Sequence, residues 1–372
     1  MIATFIAAAV AAAQPTGGEM RDYGTTSAGE HVGEYVLRNH HGMSVHFIAL
    51  GGIVTRIEVP DRTGHMDNVV LGLPDLAAYE RRNDSYRFGA LMGRYAGRIA
   101  NARFSLDDRV VQLTANDGPN ALHGGAGHGF DAKVWRVEPL GGEAARLTYS
   151  SPDGEQGFPG RLDIAVTYRL TEQNELRIDY EARADAPTVH NFTNHSYFNL
   201  AGSGAGPVSD HRVRIFAHRI VEANDVGIPT GAFLPVAGTA FDFLTEHPLG
   251  DCLHGAMPRI SGFCGYNHSF MIDREWQGTL TLAAHVVEPA SGRTLDVLTT
   301  EPTVHIYTAN HFPGPDIGNA GVPLTALHGL ALETQHLPDS PNHPSFPTTV
   351  LRPGDVFRST TIFRFGVEGR HE

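Results

Sequence analysis

The chain is poor in cysteine, in positive charge and in long apolar runs, and each shortage removes a class of protein. Only Cys252 and Cys264 occur among 372 residues. Two thiols cannot staple a chain of this length, so its fold must rest on a hydrophobic core rather than a disulfide framework. The two would bridge in an oxidising compartment, but a pair of free thiols is the plainer expectation. Lys and Arg total 28 against 41 Asp and Glu, a formal net charge of −13. Such a surface repels phosphate backbones, and no basic patch interleaved with aromatics offsets it, so no nucleic-acid partner is expected. No apolar segment reaches the roughly 20 residues of a bilayer-crossing helix, so no membrane insertion is expected either. The longest, Met1–Ala13, is followed by Gln14-Pro15-Thr16 and has the look of a signal-peptide core, yet no Lys or Arg precedes it. Residues 1–21 are accordingly read as a signal peptide or an N-terminal extension. The first reading implies a periplasmic or secreted protein, the second a cytoplasmic one.

Heptads, low-complexity linkers and fixed-period repeats are also missing, so residues 22–372 read as a single domain. What is abundant is glycine (42) and proline (23), punctuating the chain at short intervals. That favours many strands joined by turns over long helices. In Leu162–Leu170 the even positions Leu162, Ile164, Val166, Tyr168 and Leu170 are apolar. After a polar turn, Leu176, Ile178 and Tyr180 resume the alternation. Period two buries one face of a strand and wets the other, so the pair predicts an antiparallel hairpin. Ser44–Ala49, Ala145–Ser150, Thr279–Val286 and Val356–Phe365 alternate similarly, and one short helix is expected around Pro74–Arg82. The fold class is all-β, a large antiparallel β-sandwich with a few short helices.

Some chemistries lack their signatures. Gly202-Ser203-Gly204-Ala205-Gly206 has neither the spacing nor the strand–turn–helix setting of a dinucleotide fingerprint, and reads as a loop. No phosphate-cradling loop and no nucleophile elbow is present. Histidine is common at 21 residues, but no pair has the helical spacing of a catalytic zinc motif, so no metal is expected.

Four segments remain. Asn191-Phe192-Thr193-Asn194-His195-Ser196-Tyr197-Phe198-Asn199-Leu200 is denser in polar groups than a strand needs. Glu333 ends the apolar run Gly329–Leu332, and burial there would raise its carboxyl toward the range of a base working near neutrality. Gly93-Arg94-Tyr95-Ala96-Gly97-Arg98 sets two guanidinium forks among small residues, suiting them to hydroxyl or carboxylate recognition. Asn120-Ala121-Leu122-His123-Gly124-Gly125 places an imidazole where glycines leave room for a ligand. Taken singly, a satisfied core histidine, a rim carboxylate and surface ion pairs explain the first three as well as a site does.

Together, and in order along the chain, these segments resemble the aldose 1-epimerase, or galactose mutarotase, family. Residues 191–200 match its pattern Asn/Ser-x-Thr-Asn-His-x-Tyr-Phe/Trp-Asn-Leu/Ile at every specified position. Gly265-Tyr266-Asn267-His268-Ser269-Phe270, Tyr307-Thr308-Ala309-Asn310 and Leu332-Glu333-Thr334-Gln335 with its trailing prolines continue the match, from about Asp22 to Val367. The resemblance implies a supersandwich of the galactose mutarotase type that works without metal or organic cofactor on a free aldose of the glucose or galactose kind. It implies Glu333 as the base at the C1 hydroxyl, His195 as the acid at the ring oxygen, and Arg98 and His123 holding the sugar. Three sugar-facing positions depart from the family: Gly97 stands where Asn is usual, Asn267 where Asp is common, and His305 where Gln is frequent. They put substrate preference in question, not the acid and base. A hexose-6-phosphate epimerase is the nearest rival, but beyond Arg94 and Arg98 no phosphate clamp is visible. A non-catalytic carbohydrate-binding domain would need neither Glu333 nor His195. A monomer or homodimer is expected.

Overall fold

The computed structural model describes residues 19–125, 127–250, 259–260, 263–274, 278–314 and 316–369. Both Met1–Ala13 and Cys252 lie outside the described residues. Strand Glu19–Thr25 begins ahead of the expected boundary at Asp22, because Met20, Arg21 and Asp22 pair with Tyr35, Glu34 and Gly33 of strand His31–Arg38. Cys264 is disulfide-bonded, against the expectation of free thiols.

Sheets of nine, six and five strands, antiparallel throughout, carry the architecture. The hairpin is the clearest case of sequence dictating structure. Leu162–Leu170 pairs with Glu175–Ala184, Leu170 opposite Leu176 and Val166 opposite Tyr180. All five of its alternate apolar residues are buried in the main core. That core is shared by the three sheets: Val45 and Phe47 reach it from the five-stranded sheet, Val297 and Phe363 from the nine-stranded, Ile306 and Leu332 from the six-stranded. Face-to-face sheets sharing one apolar layer are the sandwich that the alternation predicts.

Two elements differ from expectation. Strand Ser44–Ile48 is buried at all five positions rather than alternately. Its second face is covered too, with Ser44 donating to Glu58 (2.8 Å) and Ile48 packed in a second cluster beneath the helix. The helix spans Leu76–Tyr86 rather than Pro74–Arg82, and is called α1 here. Asp75 caps it by accepting from the Ala78 amide at 2.8 Å. It continues through the polar Arg82–Ser85 because Asn83 and Tyr86 are buried against the sheets. The Gly202–Gly206 segment is a loop, as read.

Candidate active site

The six-stranded sheet runs Tyr197–Phe198, Leu330–Gln335, Thr303–Tyr307, Asn267–Met271, Arg219–Ala223, Pro229–Pro235 in hydrogen-bonding order. Period two sorts its side chains. Leu330 and Leu332 point into the main core, and Thr334 meets Thr361 of the nine-stranded sheet (2.5 Å). Glu333 and Gln335 therefore face the opposite way. On the neighbouring strand Val304 and Ile306 enter the core while His305 and Tyr307 share Glu333's face, His305 being the register partner of Glu333. Asn267, partnered with Tyr307, follows on the next strand. The outer face of this sheet thus floors a cavity of about 230 Å³.

Loops wall that floor. His195 is fixed by two backbone bonds, its amide to Ala90 and its carbonyl from the Gly89 amide. Its ring stacks on Tyr197 (centroids 4.9 Å) and meets His123 edge-on at 5.3 Å. His195 Nε2 lies 3.4 Å from Glu333 Oε1, and both side chains are almost fully buried. Arg98 also lines the cavity, its Nε donating to Asp117 at 2.7 Å. Gly97 and His123 clasp each other: the His123 amide donates to the Gly97 carbonyl, and the Gly97 amide donates to His123 Nδ1 at 3.2 Å. Gly97 adopts φ +78, and a Cβ there would meet Pro338 at 3.1 Å, so its contribution is a backbone amide.

Burial dominates the electrostatics. It pushes the Glu333 carboxyl up to about 8, against the opposing pull of Arg87 and Arg98. It drives the His195 imidazole down to about 3, with Arg87 adding to the effect. His305 falls to about 3 and His123 well below its ordinary value, again mainly through burial. At neutral pH the Glu333–His195 pair therefore holds one proton, carried by the carboxyl. Asn267 and His305 prove to be one unit. His305 Nε2 bonds Asn267 Oδ1 (2.7 Å) and Nδ1 bonds Ser269 Oγ (2.8 Å). A neutral ring donates at one nitrogen and accepts at the other, and the amide oxygen can only accept. So Asn267 spends its acceptor on His305 and offers its NH₂ to a ligand. Among the described residues lining the cavity, Arg87 Nε, His195 Nδ1, Glu333 Oε2 and Gln335 Oε1 are buried polar atoms without a hydrogen-bond partner.

The fold gathers every expected site residue here, Glu333, His195, Arg98, His123, Asn267, His305 and Gly97. Arg94 is not among them: buried, it donates to the carbonyls of Gly160 (2.7 Å) and Pro159 (2.8 Å) and to Thr188 Oγ1 (2.9 Å). Sequence reasoning missed Arg87, Asp117, Gln335 and His311. Gln335 carried a signal, lying two residues from Glu333 on one strand. Arg87 carried none, since its place depends on where α1 ends.

His123, His195 and Glu333 offer donor atoms within 4.8 Å of one another, a spacing a divalent ion could bridge. The hydrogen bonding does not suit one. A metal-bound histidine donates from its other nitrogen, whereas His123 Nδ1 accepts from Gly97, which leaves the ring proton on Nε2.

A buried carboxyl–imidazole pair on a sheet face of a β-sandwich, with two guanidinium groups, a carboxylate and several amide and imidazole side chains around it, defines a class: a small polar pocket with groups able to exchange a proton. Comparison with known proteins narrows the class. The sequence model of the family described as aldose 1-epimerase matches residues 33–364. The chain is 40% identical to the galactose mutarotase of Rattus norvegicus over 92% of its own length and 96% of that protein. It is 36% identical to the aldose 1-epimerase of Escherichia coli, over 89% and 94%. Solved structures agree. The GalM/aldose epimerase homologue of C. elegans superposes with a TM-score of 0.82 at 28% identity, covering 90% of this chain and 99% of that one. The galactose 1-epimerase of Lactobacillus acidophilus gives 0.80, also at 28%, covering 95% and 99%. The chain belongs to the aldose 1-epimerase family.

Proposed function

We propose that the protein interconverts the α and β anomers of a free aldose, with Glu333 as the base and His195 as the acid. The observation that carries this reading is the 3.4 Å approach of the two, almost fully buried, at the floor of a cavity of about 230 Å³. That is below the roughly 300–1,000 Å³ of pockets for drug-sized ligands, a size suited to one monosaccharide.

Ring opening asks for little else. Glu333 takes the proton from the C1 hydroxyl, the C1–O1 double bond forms, and the C1–O5 bond breaks. His195 delivers a proton to O5. Rotation about C1–C2 presents the other face of the aldehyde, O5 attacks it, and the two transfers reverse. No electrons leave the sugar and no external nucleophile enters. The working form is the carboxylate–imidazolium pair, reached from the resting pair by moving its single proton from Glu333 to His195. His123, with its proton on Nε2, donates to a sugar oxygen, while Arg98 and the Asn267 amide grip hydroxyls. A pure sugar-binding module would have no use for a carboxyl held protonated beside a neutral imidazole.

Polarimetry tests the reading. Freshly dissolved α-D-glucose and α-D-galactose should reach anomeric equilibrium faster with the protein than without it. Glu333→Gln should lose about 10²- to 10⁴-fold in kcat, the usual contribution of a positioned general base. No acceleration of any free aldose would discard the reading, and full activity in Glu333→Gln would discard the base.

A further inference from the structure

Helix α1 ends in an unusual way. Arg87 follows its last residue with φ 63 and ψ 21, and its amide bonds the Asn83 carbonyl at 2.6 Å. That left-handed position is normally glycine's, since a Cβ there crowds the backbone. Such positions occur elsewhere in this chain too, so it is the destination of the side chain that gives this one its interest. Here the turn carries Arg87 from the helix end to the rim of the active-site cavity. The guanidinium finds little there: the Ser85 carbonyl at 3.4 Å, and a buried Nε with no partner. Arg98, by contrast, is tied to Asp117.

The charges around the cavity can be counted at neutral pH. The imidazoles of His123, His195, His305 and His311 are neutral and Glu333 keeps its proton. Arg98 and Asp117 cancel. Among the described residues that line the cavity, one positive charge is left over, on Arg87; the Asp131 carboxyl, on which Arg87 also bears, is raised by burial and lies outside that lining. The position of Arg87 follows from the backbone: the Ala90 amide donates to the Arg87 carbonyl, the His195 amide donates to the Ala90 carbonyl, and the Gly89 amide donates to the His195 carbonyl. In keeping with this, Arg87 but not Arg98 bears on His195 and Tyr197, Arg98 but not Arg87 bears on His305, and both bear on His123, Tyr307 and Glu333. Arg87 therefore stands on the flank of His195.

We propose that Arg87 selects aldoses bearing one negative charge beside the ring oxygen, namely hexuronates with a carboxylate on C5. The inference rests on the mutarotase reading, in which His195 stands at O5. C5 is bonded to that oxygen, so its substituent faces the Arg87 flank. A carboxylate there accepts both prongs of the guanidinium fork and cancels the surplus charge. The hydroxymethyl group of a neutral hexose gains only a hydrogen bond. A phosphate dianion would leave one negative charge uncompensated next to Glu333.

The test compares α-D-galacturonate, α-D-galactose and galactose 6-phosphate by polarimetry. Calorimetry with the methyl α-glycosides of galacturonate and galactose, which cannot ring-open, measures binding apart from chemistry. The uronate should exceed the other two at least tenfold in kcat/KM. Arg87→Gln should cut the uronate-to-hexose ratio at least tenfold, through KM, with Arg87→Lys keeping part of it. A ratio near one, a ratio untouched by Arg87→Gln, or preference for the phosphate would each overturn the proposal while leaving the mutarotase reading intact. If no aldose is turned over, that reading falls. Tighter, Arg87-dependent binding of the uronate glycoside would then still support the charge selectivity, and equal binding of the two glycosides would overturn it.

Discussion

Glu333 and His195 share one proton, and this makes their pH dependence specific. In the proposed mechanism the active form keeps that proton within the pair, on His195 when the ring opens. Above about 8 the carboxyl gives it up and the pair holds none. So kcat/KM should be level through neutrality and fall as pH rises past about 8. A rate that instead climbs through 8 would mean Glu333 acts as a base without an imidazolium beside it. Arg87 favours the ionised carboxylate, so Arg87→Gln should carry the falling limb to higher pH. How far the site was legible in the sequence depended on the residue. Glu333 and His195 sit inside continuous motifs, one on a strand and one in a backbone-pinned segment, so local pattern fixes their settings. The Asn267–His305 bond joins residues on different strands, and only register brings them together.

Elements with one wet face were readable, and those buried on both faces or ended by backbone geometry were not. The Leu162–Leu170 hairpin follows from alternation alone, whereas in Ser44–Ile48 polar Ser44 and His46 are buried with Glu58 and Glu34, so alternation there does not mark a wet face. Helix α1 runs past Arg82, where the sequence pattern stops it, because Asn83 and Tyr86 are buried, and it ends at Tyr86 with Arg87 as the left-handed cap. That ending makes a prediction at its own scale. Arg87→Gly relieves the left-handed strain and should stabilise the protein by about 1 kcal/mol. It should read as a higher denaturant midpoint at unchanged slope. A lower midpoint would mean that the guanidinium holds the helix end in place, which its sparse contacts argue against.

For the molecule as a whole, the burial that depresses the His195 imidazole extends to several others away from the cavity. His190, His195 and His305 are pushed down to about 3, and His211 and His268 to about 4, all chiefly by desolvation. In the unfolded chain each returns to near 6.5. Their folded values are depressed, so between 6.5 and about 4 the unfolded chain takes up protons that the folded one refuses. Stability should therefore fall as pH is lowered through that window. Glu333, Asp131 and Asp339 work the other way, because their raised values let the folded state hold protons the unfolded chain has lost. His123, also held well below its ordinary value by burial, joins the five, so the depressed imidazoles outnumber the raised carboxyls and the net effect is a loss of stability toward acid. Thermal melts should accordingly drop between pH 7 and 5. His190 isolates the cause. Both of its ring nitrogens are buried without a partner, its ring lies 4.2 Å from Phe357, and it does not line the active-site cavity. His190→Leu should flatten the dependence by one proton's worth, about 1.4 kcal/mol per pH unit. If the melts of that variant lose stability toward acid as steeply as before, His190 is not held neutral in the fold and the account of acid lability fails with it.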